Sequence, residues 1–329
     1  MQYKSVKGYS GAGQLGILLV FLGLGLIITS IVQLAIISMI LPPDVSASNL
    51  AGAVTEVLLK PENIASARLA QVAGTFFLMF IPTVLYSLIV NGKNPLWLGF
   101  SKYVNAKQLA LGFLIMFLAS MMASPLSDLS KLIVANFPDL NSIAKNMEET
   151  YNQQVVALSN LKSLPEFLMA LVIMAFLPAL FEEMFFRGAI QNLFVKWWKK
   201  PLLAIFVTAI IFSLVHMSVY LFLSRMVLGF ILGLLYYRTK NIWVNVVAHF
   251  LNNAIAVTQL YFVSSTKKAI AVNDLDPEVP WWLAIAAVIA LYYVFILLKK
   301  VSEKNRSLIV VKEETLSAIG NIHDPFQKI

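Results

Sequence analysis

Long apolar segments divide this chain and decide what it can fold into. A helix of about 20 apolar residues crosses a bilayer, and such windows occur near residues 14–41, 69–91, 108–127, 164–187, 202–218, 221–237, 242–264 and 281–298. Because lipid offers backbone groups no water to bond, these segments must be helical. The predicted fold class is therefore all-α, a polytopic membrane helix bundle of about eight transmembrane helices. Composition agrees, since 13% of the residues are charged against roughly 25% in soluble domains.

Basic residues are distributed unevenly between the two sides of such a bundle. With eight spans, both termini share one side with the even-numbered loops. That side would hold sixteen Lys and Arg residues, and the opposite side six. Because basic loops stay in the cytoplasm, we expect an integral protein of the bacterial cytoplasmic membrane with both termini cytoplasmic. The net charge of +8 then belongs to these loops, and no nucleic-acid partner is expected.

The fifth and sixth spans are short. Pro201 to His216 and Arg225 to Arg238 each rise only about 20–22 Å, less than the hydrocarbon core of about 30 Å. The turn between them is also apolar. We therefore predict a hairpin packed into the bundle with His216 near its tip. Two glycines spaced four apart on the sixth span indicate close helix packing.

Two adjacent glutamates, Glu182 and Glu183, lie in the otherwise apolar run 168–186, followed by Arg187. A charge at membrane depth costs at least about 2.5 kcal/mol on insertion scales, so such groups pair, line a cavity or do chemistry. Residues four apart share a helix face, which predicts an ion pair between Glu183 and Arg187. Glu182 points elsewhere and is the candidate general base. In the alternative, both carboxylates pair with lysines of a loop inside the span boundary.

Two histidines also sit in apolar runs. His216 follows Phe212 by one helical turn, and His249 precedes Asn253 by one turn, so each pair shares a face. A lone histidine on an apolar face is usually a packing residue. Two histidines with an asparagine and a free glutamate favour one buried polar site, in which Asn253 and a histidine could donate hydrogen bonds to an oxyanion.

These residues form three motifs in order, EExxxR, FxxxH and HxxxN, each within an apolar span. Over about residues 164–260 the chain resembles the CPBP family of intramembrane glutamic endopeptidases, which includes type II CAAX prenyl endopeptidases and bacteriocin-processing or bacteriocin-immunity proteins. The resemblance implies an endopeptidase that cleaves a membrane-associated peptide or protein with a glutamate-activated water. The implied catalytic residues are Glu182, His216, His249 and Asn253, and the implied supporting residues are Glu183, Arg187 and Phe212.

Other functions use the same residues. Glu182, His216 and His249 could instead form a His₂Glu zinc site, although no HExxH motif is present, and otherwise no cofactor is expected. A non-catalytic bacteriocin-immunity or peptide-binding membrane protein would keep the same pocket. Under each enzymatic reading the partners are membrane lipids and a peptide or protein substrate.

The predicted organisation has four parts. Residues 1–163 hold the N-terminal membrane helices and loops, 164–264 the catalytic core, 265–300 the last transmembrane helix and 301–329 a solvated cytoplasmic tail. With the fourth span ending at Arg187, Glu182 would lie only about 7–8 Å from the cytoplasmic end of its helix, and His249 about 12 Å from the charged turn after the sixth span. His216, about 22 Å along its own helix, agrees only if the fifth span is tilted or the hairpin bends back. We therefore expect substrate to enter from the cytoplasmic side.

Overall fold

A computed structural model describes residues 3–46, 49–158, 161, 163–266 and 279–322. These ranges contain helices and no β-strand, which confirms the all-α prediction. The helices are α1 (Gly11–Ser38), α2 (Leu50–Leu59), α3 (Ile64–Val90), α4 (Ala106–Val134), α5 (Pro138–Leu158), α6 (Leu164–Trp198), α7 (Pro201–Val215), α8 (Phe222–Thr239), α9 (Ile242–Thr266) and α10 (Trp281–Ile322).

Helices occupy all eight predicted span positions. Within the described ranges, six of them (α1, α3, α4, α6, α9 and α10) are long and apolar enough to cross a membrane. The other two form the predicted short hairpin. α7 has 15 residues and α8 has 18, and His216 caps α7 at the tip. The chain is thus an integral membrane protein whose bundle contains a hairpin of two shorter helices.

The loops predicted to be cytoplasmic lie together at one end of the bundle, called here the basic end. Four contacts join them: the Lys7 amide with the Val90 carbonyl, the Lys196 ammonium with the Trp97 ring, the Gln108 amide with the Ser302 hydroxyl, and Lys240 with Glu313. This grouping agrees with an even number of crossings. Lys267 and Lys268, predicted on the opposite side, lie outside the described residues.

α6 runs unbroken through the centre of the bundle. Residues 181–191 are all buried, so this part of the helix meets protein on every side. Two segments of α6 are π-helical, Leu171–Phe176 and Met184–Gln191. The first comes just before Pro178, which has no N–H to give to the preceding turn. The second begins directly after the two glutamates, and π-turns are frequent at functional sites.

The glycine pair of α8 allows the close packing predicted for it. A Cβ atom added at Gly229 would lie 3.0 Å from the Phe212 ring, and one added at Gly233 would lie 2.6 Å from Ile205. Phe212 and Ile205 both belong to α7. The two helices of the hairpin therefore approach each other closely at both glycines, and a side chain at Gly233 would collide with Ile205.

α5 covers the tip of the hairpin at the end opposite the basic end. Three polar contacts join them: Tyr220 donates to Asn141 (2.6 Å), Ser218 donates to Glu148 (3.4 Å), and the Arg225 guanidinium lies 5.3 Å from the Tyr151 ring centroid. Arg225 also donates to the His216 carbonyl (3.1 Å). The turn that carries His216 is thus held by both α5 and α8.

Residues 301–322, predicted as part of a solvated tail, form a helix that is exposed over most of its surface and docked along one face. α10 continues as a helix to Ile322, with Ser302 and Ile309 fully buried and Glu313 paired with Lys240. These positions recur at intervals of seven and four, which places them on one helix face. Because charged residues lie between these positions, the average composition of the segment did not reveal this helix face. Residues 323–329 lie outside the described ranges.

The chain has no cysteine, so its orientation can be measured with single introduced cysteines. Lys199 at the basic end and Asp139 at the opposite end are both exposed. We expect a membrane-impermeant thiol reagent to label Lys199→Cys from the cytoplasmic face only and Asp139→Cys from the other face only. Labelling of both positions from one face would refute the crossing of the membrane by α6, which lies between them, and exchanged faces would refute the cytoplasmic location of the basic end.

Candidate active site

The ion pair predicted between Glu183 and Arg187 is present and completely buried. Arg187 Nη1 donates to Glu183 Oε1 at 2.8 Å, and both side chains have no exposed surface. Arg187 Nη2 donates to the Gly229 carbonyl at 2.9 Å. Since buried charges must be paired and hydrogen-bonded, this arrangement fixes α6 against α8.

Glu183 has two further partners, both on α9. Asn245 Nδ2 lies 3.0 Å from Glu183 Oε2, and His249 Nδ1 lies 2.9 Å from Glu183 Oε1. Sequence reasoning missed Asn245. Its signal was the four-residue spacing of Asn245, His249 and Asn253, which puts three polar side chains on one face of an apolar helix.

The hydrogen-bond partners determine which nitrogen of each histidine carries hydrogen. Glu183 accepts from Arg187 and Asn245 and is therefore an ionised acceptor, so His249 Nδ1 must donate to it. His216 Nδ1 lies 2.7 Å from the Phe212 carbonyl, which can only accept. Both rings consequently donate through Nδ1 and leave Nε2 free for the pocket.

Both free nitrogens face Glu182. Its Oε2 atom lies 3.8 Å from His216 Nε2 and 3.9 Å from His249 Nε2. This oxygen is buried and has no hydrogen-bond partner among the described residues. The separations exceed a direct hydrogen bond and suit a bridging water. Three ionisable side chains from α6, α7 and α9 therefore meet in one pocket.

Phe212 forms an aromatic wall of this pocket. Its ring centroid lies 4.5 Å from that of His216 and 6.2 Å from that of His249. The Arg187 guanidinium carbon lies 5.0 Å from the same centroid, within the range of a cation–π contact. Phe212 thus packs against both histidines and the buried ion pair.

Asn253 lies one turn beyond His249 and is half-buried. Its side chain makes no hydrogen bond within the part of the chain that the structure describes. The adjacent Asn252 points away, because its Oδ1 accepts a hydrogen bond of 2.5 Å from Ser120 on α4. Of the two asparagines, Asn253 keeps its amide available.

The pocket does not have the spacing of a closed zinc site. Within the described residues, no three His, Cys, Asp or Glu side chains are placed so that they could hold a metal ion. Tetrahedral zinc with bonds of about 2.0–2.2 Å would bring its ligand atoms to about 3.3–3.6 Å from one another. The Glu182 oxygen is further than this from both histidine nitrogens.

The depth of the site differs from the sequence-based expectation. The predicted span ended at Arg187, whereas α6 continues to Trp198. Glu182 is therefore sixteen residues, or about 24 Å, from the basic end of its helix. His216 is fifteen residues, or about 22 Å, from the start of α7, so the two depths now agree. The premise that Glu182 lies close to the cytoplasmic end of its helix was therefore wrong. His249 still lies only seven residues, or about 10 Å, from the start of α9 at the basic end, so entry from the cytoplasmic side stays a prediction.

Fold and site together define an all-α integral membrane protein with a buried glutamate–histidine pocket. Residues 164–255 match the family model described as Rce1-like, type II CAAX prenyl endopeptidase Rce1-like, which points to a protease. The resemblance predicted from the three motifs is confirmed over this segment, which contains every residue of the pocket. No curated protein and no solved structure matches the chain.

The two glutamates should respond differently to the same substitution. Glu182→Gln removes a carboxylate whose inner oxygen has no partner, so we expect unchanged thermal stability and complete loss of proteolysis. Glu183→Gln leaves Arg187 buried and unpaired, which costs about 3–5 kcal/mol. Thermal unfolding of both purified variants in detergent, with cleavage measured on the folded fraction, tests this. Equal stability of the two variants would contradict the separate roles.

Proposed function

We propose that this protein is an intramembrane endopeptidase that hydrolyses a peptide bond with a water activated by Glu182. One observation carries the proposal: the buried, unpartnered Glu182 oxygen faces Nε2 of two histidines at 3.8 and 3.9 Å. Glu183 cannot serve as the base, because its two oxygens already accept from Arg187, Asn245 and His249.

In the proposed reaction, a water between these groups donates one hydrogen to Glu182 and the other to a histidine Nε2. Its oxygen lone pair is then directed at the scissile carbonyl carbon. As the C–O bond forms, Glu182 takes the water proton. When the C–N bond of the tetrahedral intermediate breaks, Glu182 returns this proton to the leaving nitrogen. The products are a carboxylic acid and an amine, and the site regains its starting protonation.

The oxyanion of that intermediate needs a donor, and Asn253 is proposed for this role. Its amide lies on the same helix face as His249 and is not used elsewhere among the described residues. Neutral His249 donates through Nδ1 to Glu183, so its Nε2 can only accept. His249 could assist the oxyanion only after Nε2 gains a proton, and Glu183 would then stabilise the resulting cation.

The substrate class follows from the site's position in the bundle. A pocket surrounded by membrane helices admits a peptide that is itself held in or at the bilayer. The matched family suggests a carboxy-terminal peptide bearing a prenylated cysteine. The first probe is therefore an internally quenched peptide ending in farnesylated Cys, two aliphatic residues and a variable residue, with the unprenylated peptide beside it.

Purified protein in detergent should cleave a membrane-associated peptide, and Glu182→Gln should not. Where neither form of the probe is cleaved, membrane peptides from cells carrying wild type or Glu182→Gln are compared by mass spectrometry. Peptides that accumulate only in the variant then become the probe. A Glu182→Gln protein that keeps its full biological effect, with no accumulating peptide, would contradict the endopeptidase and support peptide binding without catalysis.

Catalysis is proposed to proceed without a bound metal ion. The ligand spacing described above motivates this, as does Asn253, a poor zinc ligand and a good hydrogen-bond donor. Protein dialysed against a chelator and shown to be metal-free by elemental analysis should retain its cleavage rate. Stoichiometric zinc that leaves together with activity, and restores it on return, would establish the His₂Glu alternative.

A further inference from the structure

Asn245 is a polar side chain that hydrogen-bonds to Glu183 and that none of the three sequence motifs contains. It is completely buried. Its amide nitrogen donates to Glu183 Oε2 at 3.0 Å and to the Leu232 carbonyl at 2.8 Å. An amide group has two hydrogens, so both are used and both go to fixed acceptors.

The orientation of this amide is dictated by its surroundings. If the group were rotated by 180°, its oxygen would face a carboxylate and a carbonyl, which are both acceptors. The oxygen is instead left without a partner among the described residues. An unsatisfied buried oxygen costs free energy, so the donor contacts outweigh that cost.

We infer that Asn245 is a positioning residue that acts on His249 through the Glu183 carboxylate. Among the described residues Asn245 is the hydrogen-bond donor to Glu183 Oε2, while Arg187 and His249 share Oε1. Asn245 therefore holds the carboxylate plane in which Oε1 meets His249 Nδ1. This keeps the hydrogen on Nδ1 and directs a bare Nε2 at Glu182. The kinetic part of the inference rests on the proposed function, and the tautomer part does not.

Gln191 provides a matched control. It is also a buried amide that bonds to α8: its nitrogen donates to the Gly233 carbonyl at 3.0 Å, and its oxygen has no partner among the described residues. It makes no hydrogen bond to Glu183. Gln191→Ala thus removes a comparable helix-to-helix hydrogen bond and leaves the Glu183 carboxylate unchanged.

The tautomer can be read directly, because the chain has only three histidines. In ¹⁵N-histidine-labelled full-length protein, solubilised in detergent, NMR distinguishes a ring protonated at Nδ1 from one protonated at Nε2. His216→Gln and His323→Gln backgrounds assign the His249 signals. We expect Nδ1–H for His249 in wild type and in Gln191→Ala, and a mixture of tautomers in Asn245→Ala. An unchanged His249 tautomer in Asn245→Ala would overturn the inference.

Cleavage kinetics provide the second readout. The outer hydrogen-bond partners of metal-ligating histidines are typically worth about 10–100-fold. Asn245 orients His249 in the same way, so Asn245→Ala should lower kcat about tenfold on the folded fraction. KM should stay unchanged, and Gln191→Ala should change neither constant. Asn245→Asp keeps the side-chain volume but faces Glu183 with a second carboxylate, so its kcat should fall further.

The outcomes separate the two proposals. A shifted tautomer in Asn245→Ala, with no cleavage by wild type of any probe, would support the positioning role and count against the endopeptidase. Cleavage by wild type with unchanged kcat in both Asn245 variants would support the endopeptidase and overturn the positioning role. Should Asn245→Ala fail to fold, the isosteric Asn245→Asp decides by the same criteria.

Discussion

The buried pair of Glu183 and Arg187 is the constraint on which the rest of the site depends. Two charges without exposed surface pay a desolvation penalty of several kcal/mol each, which close pairing and hydrogen bonds must offset. Both terminal nitrogens of Arg187 are hydrogen-bonded, and its Nε has no partner among the described residues. The partners come from three more helices: Gly229 on α8, Asn245 and His249 on α9, and Phe212 on α7 through its ring. The hydrogen bonds and ring contact of this one ion pair therefore hold α6, α7, α8 and α9 together at the same level of the bundle.

The same constraint makes two neighbouring glutamates different. Successive side chains on a helix diverge by about 100°, so Glu183 enters the network while Glu182 faces the space beside it. His249 joins the two, since its Nδ1 belongs to the ion-pair network and its Nε2 belongs to the pocket. The geometry of the proposed chemistry is thus set by groups that do not themselves react.

Local spacing predicted the part of this site that lies within single helices. The Glu183–Arg187 pair, the face shared by His249 and Asn253, and His216 at a hairpin tip all follow from helical periodicity.

Asn245 was missed because its partners are 13 and 62 residues away in the chain. The fourth span was predicted to end at Arg187, which is too early. A hydropathy window counts the charge of Arg187 but does not detect that the Glu183 carboxylate neutralises it. The docked end of α10 was missed because its buried positions are separated by charged ones.

A double-mutant cycle on Glu183→Gln and Arg187→Met tests the central claim most directly. The free energy of unfolding is measured in detergent for both single variants, the double variant and wild type. Each single variant leaves one buried charge without its partner, whereas the double variant leaves neither. We expect the double variant to lose about 3 kcal/mol less stability than the sum of the losses in the two single variants. For Glu182→Gln with Arg187→Met we expect a smaller coupling, because Glu182 makes no direct ion pair with Arg187 and acts on it only through its charge. Additivity of the Glu183 and Arg187 effects would contradict the account.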